Sequence, residues 1–249
     1  MQTTTVQIPT TDGAADAYLV RPDGDGPFPG VLMFMDAFGL RPRIAEMAER
    51  IAERGYAVLA PNILYRGGPS PLVTSEELQD EEKRGAAFGR LMPLIQGLTA
   101  DRVAADTGSY LDFFTAQDGV ADRPVVIVGY CMGGTNALRA IEAHPDRIKA
   151  VATFHAGRLA TDQPDSPHLA VGAITGEAYF AHADNDSSMT ADQIRTLETA
   201  LDDAGVKYTS EVYSGAPHGF TMSDTAMYDR EAEQRHWVNL FALLDRTAG

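Results

Sequence analysis

Apolar residues in this chain gather in short β-branched runs, separated by stretches with a helical repeat. Residues 125–128 form an unbroken valine–isoleucine run, which suits a strand buried on both faces of a parallel sheet. Similar runs predict strands at 30–35, 56–60, 148–154, 176–182 and 208–213. Between them, Ile44, Met47, Ala48 and Ile51 recur at helical spacing, and Arg54-Gly55 supplies a terminal cation and a C-cap. Residues 101–117 carry a second stripe, Val103, Ala104, Thr107, Tyr110, Leu111 and Phe114. Thr190 and Gln193 form a capping box before a helix over 194–204, and a closing helix is expected over 230–244. At the start, 3–8 and 14–20 read as strands joined by the turn Thr11-Asp12-Gly13, an antiparallel hairpin.

Alternation of strand and helix at this spacing predicts an α/β fold, with a mostly parallel central sheet and helices on both faces. Its 249 residues suffice for a single domain with a full core. Residues 62–99 break the rhythm. Gly67-Gly68-Pro69-Ser70-Pro71 is a loop signal; Ser75-Glu76-Glu77-Leu78 caps a short helix, and 88–98 reads as another. A connection of that length is expected to form a lid or pocket wall.

Charge and cysteine content narrow the function classes. The formal net charge is -15, and Lys83, Lys149 and Lys207 are the only lysines. A nucleic-acid partner is not expected, because phosphate binding needs a basic face. No apolar stretch approaches membrane-spanning length, and no basic region followed by an apolar run opens the chain. One cysteine permits no intramolecular disulfide, which fits a reducing, cytoplasmic location. A monomer or small homo-oligomer is expected.

That single cysteine lies in the most informative stretch, Gly129-Tyr-Cys131-Met-Gly133, directly after the 125–128 run and before a helical pattern. Strand, sharp turn and helix with a nucleophile at the apex match the G-x-S-x-G elbow, with cysteine replacing serine. The flanking glycines are needed because a Cβ there would crowd the strand or the helix. The apex side chain meets free N–H groups and the positive end of a helix dipole, a field that favours a thiolate. Taken alone, Cys131 reads equally well as a small buried apolar residue. Two later loops shift the balance. Ala183-Asp184-Asn185-Asp186 follows one late strand, and Gly215-Ala-Pro-His218-Gly-Phe220 follows the last. In an open α/β sheet such loops converge at the carboxyl ends of the strands. Nucleophile, acid and histidine then occur in the order of the α/β-hydrolases, Cys131, Asp186 and His218. Asp184 competes for the acid role; Asp186 is favoured because it sits just ahead of Met189 and the next helix, whereas Asp184 has a turn role open to it.

Over nearly its whole length the chain resembles the dienelactone hydrolase family of α/β-hydrolases. The resemblance rests on 129–134, 36–40, 183–186 and 218–220. It implies hydrolysis of a small ester or lactone through an acyl-cysteine, without cofactor. It also implies an oxyanion hole from the backbone N–H groups of Met132 and Ala37. Two departures stand out. The family's glutamate before the Phe-Gly loop is replaced by Asp36, which either reaches the thiol region or only shapes the loop. The family's arginine shortly after the catalytic histidine is missing from Phe220-Thr221-Met222, which leaves Arg84 or Arg90 as carboxylate clamps. Phe38, Tyr130, His155 and Phe220 are candidates for the pocket or its support. His144, His168, His182 and His236 show no metal-ligand spacing, and no glycine-rich phosphate loop is present. Two other readings stand beside the hydrolase: a redox-reactive thiol sensor, which needs neither Asp186 nor His218, and a ligand-binding member of the fold without turnover.

Overall fold

β-branched residues at Val31, Val58, Val126, Ile127 and Val151 meet across neighbouring strands and build the centre of the sheet. The computed structural model describes residues 1–248. Its elements run β1 (Gln2–Thr10), β2 (Gly13–Arg21), β3 (Gly30–Phe34), α1 (Pro42–Ala52), β4 (Ala57–Pro61), α2 (Ser75–Gln79), α3 (Glu81–Gln96) and α4 (Ala100–Thr115). There follow β5 (Val125–Tyr130), α5 (Met132–Ala143), β6 (Ile148–Phe154), β7 (Glu177–Ala183), α6 (Ala191–Asp203), β8 (Lys207–Tyr213) and α7 (Arg230–Thr247). The eight strands lie in the order β1-β2-β4-β3-β5-β6-β7-β8. β1 and β2 form the antiparallel hairpin, β2 meets β4 antiparallel, and every other neighbour is parallel.

Right-handed crossovers then place the helices. The chain steps one way from β3 to β4 and the other way from β5 onward. α1 and α7 therefore share one face, where Arg50 lies over the Trp237 ring and Tyr56 donates to Asp245. α4, α5 and α6 cover the other. Strands β3, β4, β5 and β7 are buried at every residue, as the near-continuous apolar runs require. β8, at the edge, is largely half-buried or exposed. The strand order reverses between β3 and β5, the kind of switch point at whose strand carboxyl ends open α/β sheets place their ligand sites.

Within 62–99 the second helix starts earlier than its sequence suggests. α3 begins at Glu81, seven residues before the expected 88, with Asp80 as N-cap accepting from the Lys83 N–H at 2.9 Å. Gly85 and Gly89 lower the local helix propensity, but both face open solvent, so each costs only about 1 kcal/mol against alanine. α2 and α3 enclose a small apolar cluster of Val73, Leu78, Ala87 and Leu91, with Phe38 packed against it. A 3₁₀ turn over Pro167–Ala173, unmarked by any repeat in the sequence, fills the space between α5 and α6. Among the described residues no helix is long and apolar enough to cross a membrane.

Candidate active site

The elbow is built by close backbone approach. A Cβ on Gly129 would fall on the Gly133 carbonyl and within 2.6 Å of Gly134 Cα; one on Gly133 would strike the Phe34 and Met35 carbonyls at the end of β3. Cys131 sits at the apex with φ 53° and ψ −120°, a conformation an L side chain adopts only under strain. Its N–H donates to the Phe154 carbonyl at 3.0 Å, which ties the apex to β6. Met132 opens α5, so its N–H lacks an intrahelical acceptor. The Ala37 N–H, in the loop after β3, likewise donates to no acceptor among the described residues.

The loops after β7 and β8 bring the acid and the histidine to this apex. His218 Nε2 lies 3.0 Å from Cys131 Sγ, and His218 Nδ1 lies 2.6 Å from Asp186 Oδ2. The other Asp186 oxygen accepts from the Ser188 N–H at 2.8 Å and from its hydroxyl at 2.7 Å. Asp184 points elsewhere: its carboxylate accepts from the Gly215 N–H at 2.8 Å and pins the turn that leads to His218. Burial opposes charge on His218, but the facing Cys131 sulfur and the Asp186 hydrogen bond outweigh it and raise its pKa to about 10. Burial also opposes charge on Asp186, yet hydrogen bonds from His218 and Ser188 lower its pKa to about 2.

His155 supports the histidine from behind. It is fully buried, its ring meets His218 edge-on at 5.4 Å and Phe220 at 4.9 Å, and its Nε2 shares a 2.8 Å hydrogen bond with the Thr221 hydroxyl. Burial first, and the nearby His218 second, hold it neutral. Tyr130 and Phe220 are also wholly buried, so neither side chain faces an open pocket. The Tyr130 hydroxyl reaches His236 Nε2 of α7 at 2.9 Å, and its ring stacks on Phe154. Phe38, half-buried, meets Phe88 of α3 edge-on at 6.3 Å.

Of the two roles left open for Asp36, its hydrogen bonds match loop shaping. Both oxygens are taken by Arg41, at 2.7 and 2.9 Å, and one also accepts the Phe38 N–H at 3.1 Å. Arg84 and Arg90 are engaged within their own segment: Arg84 donates to the Leu78 carbonyl, and Arg90 to Glu77 and the Leu72 carbonyl. Sequence reasoning missed Ser188, Thr221, Arg41 and Asp224. One signal was available for Arg41, a cation at the start of a helix, where the dipole disfavours positive charge.

Comparison with known proteins agrees with this arrangement of elements. Residues 15–248 match the model of the dienelactone hydrolase family. A Synechocystis sp. relative, provisionally named a carboxymethylenebutenolidase, is 27% identical over 240 residues, covering 95% of this chain and 94% of its own. A carboxymethylenebutenolidase of Rhodococcus opacus is 27% identical over 192 residues, 76% of this chain and 69% of that one. Among solved structures, a dienelactone hydrolase-like promiscuous phosphotriesterase from metagenomic libraries superposes with a TM-score of 0.79 at 24% identity, covering 100% of both chains.

Proposed function

The chain belongs to the dienelactone hydrolase family, and on that premise we propose that it hydrolyses small carboxylic esters or lactones through an acyl-cysteine intermediate. The observation that carries the proposal is the continuous line Cys131 Sγ, His218, Asp186, with contacts of 3.0 and 2.6 Å. A histidine held protonated beside the sulfur stabilises the thiolate that must attack. Asp186 fixes the ring orientation and balances the imidazolium.

In the first half-reaction the thiolate attacks the ester carbonyl, and the carbonyl oxygen takes the negative charge. The N–H groups of Met132 and Ala37 receive that oxyanion; each such donor contributes about 3 kcal/mol in the transition state. The C–O bond breaks, His218 Nε2 gives its proton to the departing alkoxide, and the acyl group stays on sulfur. Water then attacks the thioester as His218 takes its proton. Collapse releases the acid and returns thiolate and imidazolium. Residues 62–99 serve as the pocket wall; contact between Phe88 and Phe38 beside the oxyanion loop supports this reading.

Steady-state hydrolysis of a short activated ester, wild type beside Cys131→Ala, tests the proposal. Loss of nearly all turnover in a folded variant is expected. Equal rates in the two proteins, or none in either, would remove Cys131 as the ester nucleophile.

A further inference from the structure

Arg41 is 2% exposed and lies between two loops that the proposed reaction needs. All five of its N–H donors have acceptors. Nη1 donates to Asp36 Oδ1 at 2.7 Å and to the Gly39 carbonyl at 3.1 Å; Nη2 donates to Asp36 Oδ2 at 2.9 Å and to Asp224 Oδ1 at 3.2 Å; Nε donates to Asp224 Oδ2 at 2.6 Å. Burial opposes its charge, and the two carboxylates more than restore it. Asp36 and Gly39 belong to the loop that carries Ala37. Asp224 belongs to the loop between β8 and α7 that carries His218, and its carbonyl accepts from Gln79 of α2 at 3.0 Å. One guanidinium thus joins the oxyanion loop to the histidine loop, with the 62–99 segment resting on the same aspartate.

We infer that Arg41 is a positioning residue that holds the Ala37 N–H and the His218 ring in a fixed relation across the bound ester. The inference rests on the hydrolase reading for its catalytic consequence and on geometry alone for the clamp. It makes two demands that a generic buried ion pair does not. The fork must reach two carboxylates on separate loops, which a lysine ammonium cannot match. Asp36 must also stay neutralised, because its backbone follows the Met35 carbonyl that packs on Gly133, and an unpaired carboxylate there would add a buried charge beside the elbow. Arg41 touches neither the sulfur nor His218, so the thiolate should form without it while the transition state is received poorly.

The test uses the full chain in three forms: wild type, Arg41→Lys and Asp224→Asn. Hydrogen exchange is followed in peptides covering 36–40 and 218–229, together with kcat and KM for an activated ester. Arg41→Lys is expected to speed exchange in both loops together. It should lower kcat about a hundredfold, the scale of a misplacement near 1 Å, with KM little changed. Asp224→Asn, whose carboxylate is partly exposed, should show the same pattern at about a tenth of that loss, and it decides the matter if Arg41→Lys fails to fold. The pH dependence of Cys131 alkylation by iodoacetamide should be unchanged in both. Unchanged exchange, loosening of one loop alone, or loosened loops with unaltered kcat would overturn the inference. If the wild type turns over no ester, the hydrolase reading fails on that result, and the exchange arm still decides whether the clamp exists.

Discussion

Asp186 divides its carboxylate between two partners: one oxygen faces His218 Nδ1 at 2.6 Å, and the other is held by Ser188. The carboxylate therefore cannot rotate without breaking three hydrogen bonds. On the proposed mechanism Asp186→Asn leaves the loop in place but removes the charge behind the imidazolium. A fall in kcat on the order of 10³ to 10⁴ is expected. Asp184→Asn should keep kcat within about threefold and cost about 1 kcal/mol of stability through the weakened Gly215 contact. Reversal of these two effects in ester kinetics would exchange the roles of the aspartates.

The charge on His218 depends on its neighbours, so it should move when they are removed. Its pKa is lifted to about 10, against an ordinary 6.5, by the sulfur and Asp186 in spite of burial. NMR titration of wild type should find the ring protonated well above neutrality. In Cys131→Ala, with the facing sulfur gone, the titration should fall by more than a unit. A ring with the same midpoint in both proteins would contradict the coupling.

Buried neutral histidines set the acid limit. His236 is depressed to about 3 by burial, and burial likewise keeps His155 neutral. A depressed histidine contributes stability that is present above its unfolded value near 6.5 and lost as pH falls toward the folded one. Urea midpoints should therefore drop between pH 6.5 and 3. Asp186, lowered to about 2 from 3.8, adds a further loss below pH 4. In His236→Phe, which also leaves the Tyr130 hydroxyl without its hydrogen-bond partner, the protein should start less stable and lose less on acidification. An identical pH slope in wild type and variant would refute this source.

Strain at the elbow should be visible in stability. Glycine usually costs 0.5 to 1 kcal/mol against alanine in regular structure. At Cys131, with φ 53°, the order should invert, and Cys131→Gly should exceed Cys131→Ala by about 1 kcal/mol in urea unfolding. An alanine variant as stable as the glycine one would show that the turn carries no strain. Gly133→Ala, whose Cβ would strike backbone carbonyls of β3 that cannot yield like a side chain, should lose about 3 kcal/mol or more.

Features governed by short-range physics were legible in the sequence. The 125–128 run and the paired glycines around Cys131 specify strand, turn and helix without reference to distant residues, and the alternation of elements implies a mostly parallel sheet, though not the strand order. Asp186 and His218 were expected near Cys131 because each follows a strand and strand ends converge, and the structure brings the three side chains within hydrogen-bond distance. Arg41, Asp224 and Thr221 were not, because their roles exist only through partners up to 183 positions away. The early start of α3 was hidden by Gly85 and Gly89, whose cost depends on exposure that local pattern does not show. Tyr130 and Phe220, candidates for the pocket or its support, are wholly buried: Tyr130 directly precedes Cys131 and faces the other side of the strand end, while Phe220 packs against His155 and stacks on Tyr213.

The measurement that bears most directly on the central claim is mass spectrometry of the enzyme quenched during turnover of a slow ester. One acyl group is expected on the peptide containing Cys131, formed and discharged at rates compatible with kcat, and none in Cys131→Ala. Sustained turnover with unmodified Cys131, and equal turnover in the alanine variant, would contradict it.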